Sequence, residues 1–441
     1  MKDIKALLVA LEAGLLHQST VGKVLIIGAG MAGLTAAQIL AKSGVEVQIL
    51  EATARYGGRI FTLTNFATSP VEAGAEEVHG GKTALAFLAE MHQKELVNQE
   101  GNHVDFYYFE NKLWQEQEAY ARHDFATIDN FYSLLEEADF SDTEGFISVQ
   151  QFLDAIDSPK EFRHILEARI SNSYGASVAQ LDAREMQKNW EKWTAGDVNF
   201  TFETAGYIDL CQAVFADVLP QILYQKPITQ LAYQANKVKA TTPNGEIFEA
   251  DAVVLTASLG VLKKELIAFS PRLPEDKINA IESIGIGAGL KIILKFQCKF
   301  WGDDAGALYG DGYVSEFYPS AKNDEAILTA LVMGEKAQYL SDLGEEKAIE
   351  LALQELDKMC HSDSATRLYK KGRCIDWTTM PFQWGAYSYP TFTCEQARIN
   401  LAMPLPPLYF AGEATHTEGH AATVHGAMET GYRAAKEVLG L

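Results

Sequence analysis

Long apolar runs are missing from this 441-residue chain. No stretch approaches the ~18 uninterrupted apolar residues of a membrane-spanning helix, so no membrane span is expected. Cysteine is scarce: Cys211, Cys298, Cys360, Cys374 and Cys394 contain no CxxC pair and are odd in number. That argues against a zinc ribbon or a disulfide framework and for a reducing compartment, so a cytoplasmic location is the expectation. Positive charge is also short, with 37 Lys and Arg against 59 Asp and Glu and a net charge of −22. Nucleic acid is repelled by that average and is not an expected partner. A cationic small molecule is attracted, though modestly at physiological salt. The plainer reading is a solvated acidic surface that aids solubility. Repeats, low-complexity tracts and flexible linkers are absent as well. Domains should therefore interleave along the chain; nothing in the sequence speaks to oligomeric state.

What is present begins with a helix from Met1 to Leu16, whose Ile4, Leu7, Leu8, Leu11 and Leu15 recur at helical spacing. Its apolar run is short and is ended by Glu12, so it reads as an amphipathic arm packed on the body rather than a cleaved leader. Lys23 to Gly28 is a β-branched run entering a glycine turn, Met31 to Lys42 is helical, and Val45 to Glu51 is a second strand. Within this unit Gly28, Gly30 and Gly33, spaced by Ala29, Met31 and Ala32, form GxGxxG, with Glu51 closing the second strand. In that context the glycines bring backbone N–H groups to a pyrophosphate at a helix start, and the acid accepts from a ribose. Further on, Phe200 to Leu219 reads as a helix. Ile228 to Ala240 and Gly245 to Ala250 read as a hairpin around Pro243-Asn244-Gly245, and Leu290 to Phe296 as a strand interrupted by Lys291 and Lys295. The end of the chain, Leu408 to Leu441, reads as strand, glycine turn and helix.

Arg55-Tyr56-Gly57-Gly58-Arg59 follows the acid directly, and Phe410-Ala411-Gly412-Glu413 precedes Ala422-Thr423-Val424-His425-Gly426 at the last helix. With these elements the chain resembles the flavin amine oxidase family. Thr256 to Lys263, Phe269 to Pro274, and Trp377, Gly385, Tyr387, Ser388 and Tyr389 resemble its polyamine oxidase and lysine-specific demethylase-like branch. The resemblance runs over almost everything after residue 22. It implies an α/β fold in which a Rossmann-type FAD-binding domain (residues 21–95, 205–275 and 392–441) interleaves with an α+β substrate-binding domain (96–204 and 276–391), behind the arm of residues 1–20. It implies FAD, held by Gly28, Gly30, Met31, Ala32, Gly33, Glu51, Arg59, Gly74, Ala75, Glu76, Ile228, Glu413, Ala422, Thr423 and Val424. Ala386 stands where some members carry a flavin-linked cysteine, so the cofactor is expected to be non-covalent.

The activity implied is hydride transfer from an amine α-carbon to the flavin, hydrolysis of the imine, and reduction of dioxygen to peroxide. Lys291 and Tyr387 are the candidate catalytic residues, the first by interrupting an apolar strand and the second as an aromatic wall beside the substrate nitrogen. Glu76, Glu77, His79, Tyr387 and Thr423 are the candidate substrate contacts. Acids at 76 and 77 favour a cationic amine or polyamine over an α-amino acid. Thr423 leaves a two-tyrosine cage incomplete. Trp377 is expected to pack beneath Tyr387. No metal site is expected, and His416, His420 and His425 read as loop and helix-start residues. The alternatives are an L-amino acid oxidase, for which no carboxylate-clamping arginine is evident, and a non-catalytic FAD-binding interaction protein.

Overall fold

The computed structural model describes residues 2–99, 103–122, 124–319 and 325–441. Its first sheet is parallel throughout, in the order Ile222–Leu223, Glu46–Leu50, Lys23–Ile27, Ala252–Leu255 and Leu408–Phe410. A strand covered on both faces needs apolar residues at successive positions, and Lys23–Ile27 supplies them. Val24 and Ile26 face one core with the helices Met31–Lys42 and Val424–Leu439, which pack on each other. Leu25 and Ile27 face a second core, roofed by a four-stranded layer in the order Ile247–Ala250, Lys237–Thr241, Gln230–Gln234 and Ala268–Ser270. The first helix, Lys2–Ala13, packs on Met31–Lys42 and buries Leu7, Ala10 and Leu11.

A second sheet of seven strands runs Tyr369–Asp376, Gly289–Phe296, Ile327–Met333, Glu316–Pro319, Ala305–Tyr309, Val104–Phe109 and Lys112–Gln115. Its pairs are antiparallel except Ala305–Tyr309 with Val104–Phe109. Leu290, Ile292, Leu294, Phe317, Ala330 and Val332 point into a core shared with the helices Gly334–Leu343 and Glu345–Met359. The period of two then turns Lys291, Leu331, Glu316 and Tyr318 to the opposite face, toward the interior cavity. This is the expected α/β architecture, a Rossmann-type unit interleaved with an α+β unit.

Two local expectations change. Phe200 to Leu219 is not one helix: Asn199–Phe202 is a strand between Val78–His79 and Leu96–Asn98, followed by the helix Tyr207–Val214 and a 3-10 turn at Leu219–Gln221. Phe200 and Phe202 alternate at strand spacing, and Ala205-Gly206 separates them from the helical run. Ile228 to Ala240 is likewise two strands, turning at Ala235-Asn236, where Asn236 takes φ 56°. Asn tolerates that left-handed conformation better than most residues. The Pro243-Asn244-Gly245 hairpin forms as read.

Candidate functional site

One cavity of about 1450 Å³ extends from the parallel sheet to the seven-stranded sheet. Single-ligand pockets run to roughly 300–1,000 Å³, so this one has room for a long cofactor and a substrate together. Its wall includes Gly28, Gly30, Met31, Ala32, Glu51, Arg59, Gly74, Ala75, Glu76, Ile228, Glu413, Ala422, Thr423 and Val424. Gly33, also expected there, lies one layer behind. A Cβ on it would sit 2.1 Å from the Gly28 carbonyl oxygen, so only glycine lets the helix start approach the strand. Gly30 begins the helix with no side-chain cap, which leaves first-turn N–H groups open to an anion. Glu51 is buried; it accepts from Ala29 N at 2.8 Å and from the Thr53 amide and hydroxyl at 2.8 and 2.7 Å.

At the other end of the same surface, Glu413 is held by the protein itself. It accepts from Arg59 at 2.7 Å, from Ser388 Oγ at 2.6 Å and from the Ala422 amide at 2.9 Å. Burial opposes its charge, but Arg59, Arg398 and the Ser388 bond outweigh that and hold its pKa below the ordinary value. Arg59, expected beside the phosphates or flavin, also donates to the Ala386 carbonyl at 2.8 Å. Thr423 lines the cavity, yet its hydroxyl caps the last helix, accepting from Gly426 N at 2.9 Å and donating to His420 O at 2.8 Å. It has little left for a substrate.

An open helix start, an acid ending the second strand and a long cavity between two sheets suit a dinucleotide, with room beyond it. The family model for flavin containing amine oxidoreductases matches residues 31–439. The chain belongs to that family. This flavin-containing amine oxidase is 28% identical to polyamine oxidase 4 of Oryza sativa subsp. japonica, over 94% of its own length and 88% of the relative's. It is also 28% identical to lysine-specific histone demethylase 1 homolog 3 of Arabidopsis thaliana, over 95% of its length but only 30% of that larger protein. Among solved structures it shares its fold with cyclohexylamine oxidase from Brevibacterium oxydans IH-35A, with TM-score 0.80 and 18% identity over 95% of this chain and 99% of the other. Wild-type putrescine oxidase bound to putrescine matches with TM-score 0.79 and 19% identity at the same coverage. The cofactor of the amine oxidase is FAD, and the glycine turn, Glu51 and the two helix starts fit it.

The chamber at the seven-stranded sheet holds the remaining candidates. Lys291 is buried and donates to Gly74 O at 3.1 Å and to the Glu76 carboxylate, which also accepts from Tyr318 Oη at 3.0 Å. Tyr387 lines the cavity and donates to Asn172 O; burial pushes its phenol well up from the ordinary value. Trp377 donates to Ala73 O at 3.1 Å from a buried position in one apolar cluster with Tyr387 and Ala386. Ala386 lines the cavity, and no cysteine does among the described residues. Glu77 and His79 reach the wall half-exposed, 3.5 Å from each other, with His79 also 3.1 Å from Asn199 Oδ1.

Sequence reasoning missed several wall residues. Glu316 takes a hydrogen bond from Asn172, and burial raises its carboxyl pKa to about 7. The register pairs Lys291 with Leu331 and Phe317 with Ala330, so Glu316 stands beside Leu331. Lys291, Leu331 and Glu316 thus form a row across three strands, about 10 Å long at ~4.8 Å per strand. The signal was Glu-Phe-Tyr at 316–318: one core residue flanked by two polar-tipped residues on the opposite face. Arg169 also reaches the wall but is 3.3 Å from Asp129 and near Asp105. His416 and His420, expected as plain loop residues, converge on Glu429 at 2.6 and 3.0 Å, and ligand atoms of all three lie within 4.8 Å of one another. The amides of Glu418 and His420 donate to His416 Nδ1, which puts that ring's proton on Nε2, facing Glu429. The cluster is a hydrogen-bonded clasp of the loop before the last helix. Burial opposes the Glu429 charge, but the two histidine bonds outweigh it and hold the carboxyl far below its usual range.

Proposed function

We propose that this flavin-containing amine oxidase acts on a cationic amine bearing a second ammonium group, such as a diamine or polyamine, with dioxygen as acceptor and peroxide as product. Glu316 carries the reading. It is a carboxylate on the chamber wall, two strands from Lys291, that takes a hydrogen bond from Asn172 and has the Arg169 charge near it. A carboxylate there is a counter-charge for a distal ammonium, in a medium where the attraction is stronger than in water. FAD, when bound non-covalently, would supply the acceptor for the amine α-hydride and the route for the electrons to dioxygen. The protein's part is to orient and desolvate. Tyr387 walls the reacting carbon, fixed by its bond to Asn172; Lys291 holds water near the reacting end for imine hydrolysis and reoxidation. Glu77 and His79 add polar contacts on the cavity wall. An α-amino acid is disfavoured because the arginines on the wall are engaged: Arg169 faces Asp129 and Asp105, Arg59 pairs with Glu413, and Arg398 donates to Ala414 O. The test is Glu316→Gln. Its kcat/KM for putrescine or spermidine should fall at least tenfold, with that for a simple arylalkylamine changed less than threefold. An equal loss for both, or an amino acid outrunning every diamine in the wild type, overturns the reading.

A further inference from the structure

We propose that Glu76 is a positioning residue for Lys291 and not a substrate subsite, with Tyr318 setting the carboxylate that does the positioning. Lys291 sits mid-strand in Gly289–Phe296, and on its own face of the sheet the next side chain along the strand is Ile293, part of an apolar cluster. Its side chain is 3% exposed. An ammonium buried there without a counter-charge is strongly disfavoured, because its lost hydration is not replaced. The replacement comes from one short stretch, residues 74–76, which supplies both the Gly74 carbonyl and the Glu76 carboxylate. An ammonium has three donors, so one remains for the cavity. The same Glu76 oxygen, Oε2, accepts from Tyr318, which crosses from the strand Glu316–Pro319 and limits where the carboxylate can turn. Lysine, acid and phenol therefore tie three separate segments of the chain together at the reacting end. The Glu76 charge is spent within the protein, so of Glu76, Glu77 and Glu316 only the last two are left to meet a cationic substrate.

This rests on the proposed function only in taking Lys291 to act at the reacting end. A double-mutant cycle on the FAD-loaded enzyme tests it, using Glu76→Gln, Lys291→Met and the pair, with Glu76→Asp and Tyr318→Phe beside them. Readouts are the thermal midpoint, the visible circular dichroism of bound FAD, stopped-flow reduction and reoxidation, and the diamine-to-monoamine ratio of kcat/KM. Lys291→Met should slow one half-reaction at least tenfold, and Glu76→Gln should slow the same one at least threefold. The double variant should be within twofold of Lys291→Met in rate and more heat-stable than Glu76→Gln alone. Glu76→Asp should recover part of the rate, and Tyr318→Phe should shift the dichroism less than Glu76→Gln. The diamine-to-monoamine ratio should stay within twofold throughout. Additive losses in rate and stability overturn the proposal, as does a tenfold drop of that ratio in Glu76→Gln. If Glu76→Gln does not load FAD, the double variant decides: restored loading supports the pairing, and failure while Lys291→Met loads normally overturns it. If Lys291→Met leaves both half-reactions at wild-type rate, the catalytic reading of Lys291 falls, and the stability cycle still tests the pairing.

Discussion

Single side chains in the chamber are set by what lies against them, and two of these contacts yield direct expectations. The Tyr387 ring rests on Gly175, where φ is 85° and a Cβ would lie 2.6 Å from the ring. Gly175→Ala is therefore strained twice, by the left-handed backbone and by the collision. It should displace Tyr387 and lower kcat/KM by about 10- to 100-fold, the scale of an ångström-sized misplacement. FAD content, read as the ratio of visible to ultraviolet absorbance, should not change. Glu316 gives the second. Its folded pKa of about 7 lies above the 4.5 of a free carboxyl, so the folded state binds more protons between those values. Stability contributed by this group is present below about pH 4.5 and is lost as pH rises to 7. Glu316→Gln should accordingly be more heat-stable than wild type at pH 8, by roughly 1–2 kcal/mol after allowing for cavity water, and no more stable at pH 4.5. A variant equally stabilised at both pH values would assign the gain to packing. Lys291 was legible beforehand because a charge breaks an apolar strand. Its partner was not: Glu76 looked like a free acid until the fold brought it to the lysine.

At the scale of elements, the first βαβ unit was fully legible, since strand, glycine turn, helix and acid lie within one continuous stretch. The strand Asn199–Phe202 was not, because its partners Val78–His79 and Leu96–Asn98 lie about a hundred residues upstream. Four residues between helices carry too little pattern to oppose a helical reading. The start of the last helix was legible in position but not in role. Thr423 read as a substrate contact that leaves a two-tyrosine cage incomplete, while in the fold its hydroxyl caps Val424–Leu439 and ties back to His420. Removing an N-cap hydroxyl destabilises by about 1 kcal/mol. Thr423→Ala should lower the thermal midpoint and raise the FAD dissociation constant severalfold, because Ala422, Thr423 and Val424 share the cofactor wall. Thr423→Ser keeps the cap and should match wild type in both. If the serine variant binds FAD normally but loses the amine, Thr423 contacts the substrate after all.

Over the whole molecule, the net charge of −22 says little about the site, since the acids that matter are the few turned inward. The interleaved path is what turns them inward. The parallel sheet takes strands from residues 23–50, 222–255 and 408–410, and the seven-stranded sheet from 104–115 and 289–376. The cavity is therefore walled by segments distant in sequence, and no local pattern foretold that Lys291 and Glu316 would share a row. On the proposed reading, that row is a ruler of about 10 Å between the lysine at the reacting end and the carboxylate beyond it. A linear monoamine gains only apolar burial as it lengthens, about 0.8 kcal/mol per methylene, so its kcat/KM should climb steadily until the chamber is full. A linear diamine is fixed at both ends. Too short, its distal ammonium stops before Glu316 and is desolvated without a partner; too long, it must buckle or run past. In wild type, kcat/KM across diamines of three to eight methylenes should therefore pass through a single maximum. In Glu316→Gln the maximum should vanish and the diamine series should run parallel to the monoamines. A maximum that survives that substitution would move the distal anchor elsewhere on the wall, with Glu77 the next carboxylate to replace.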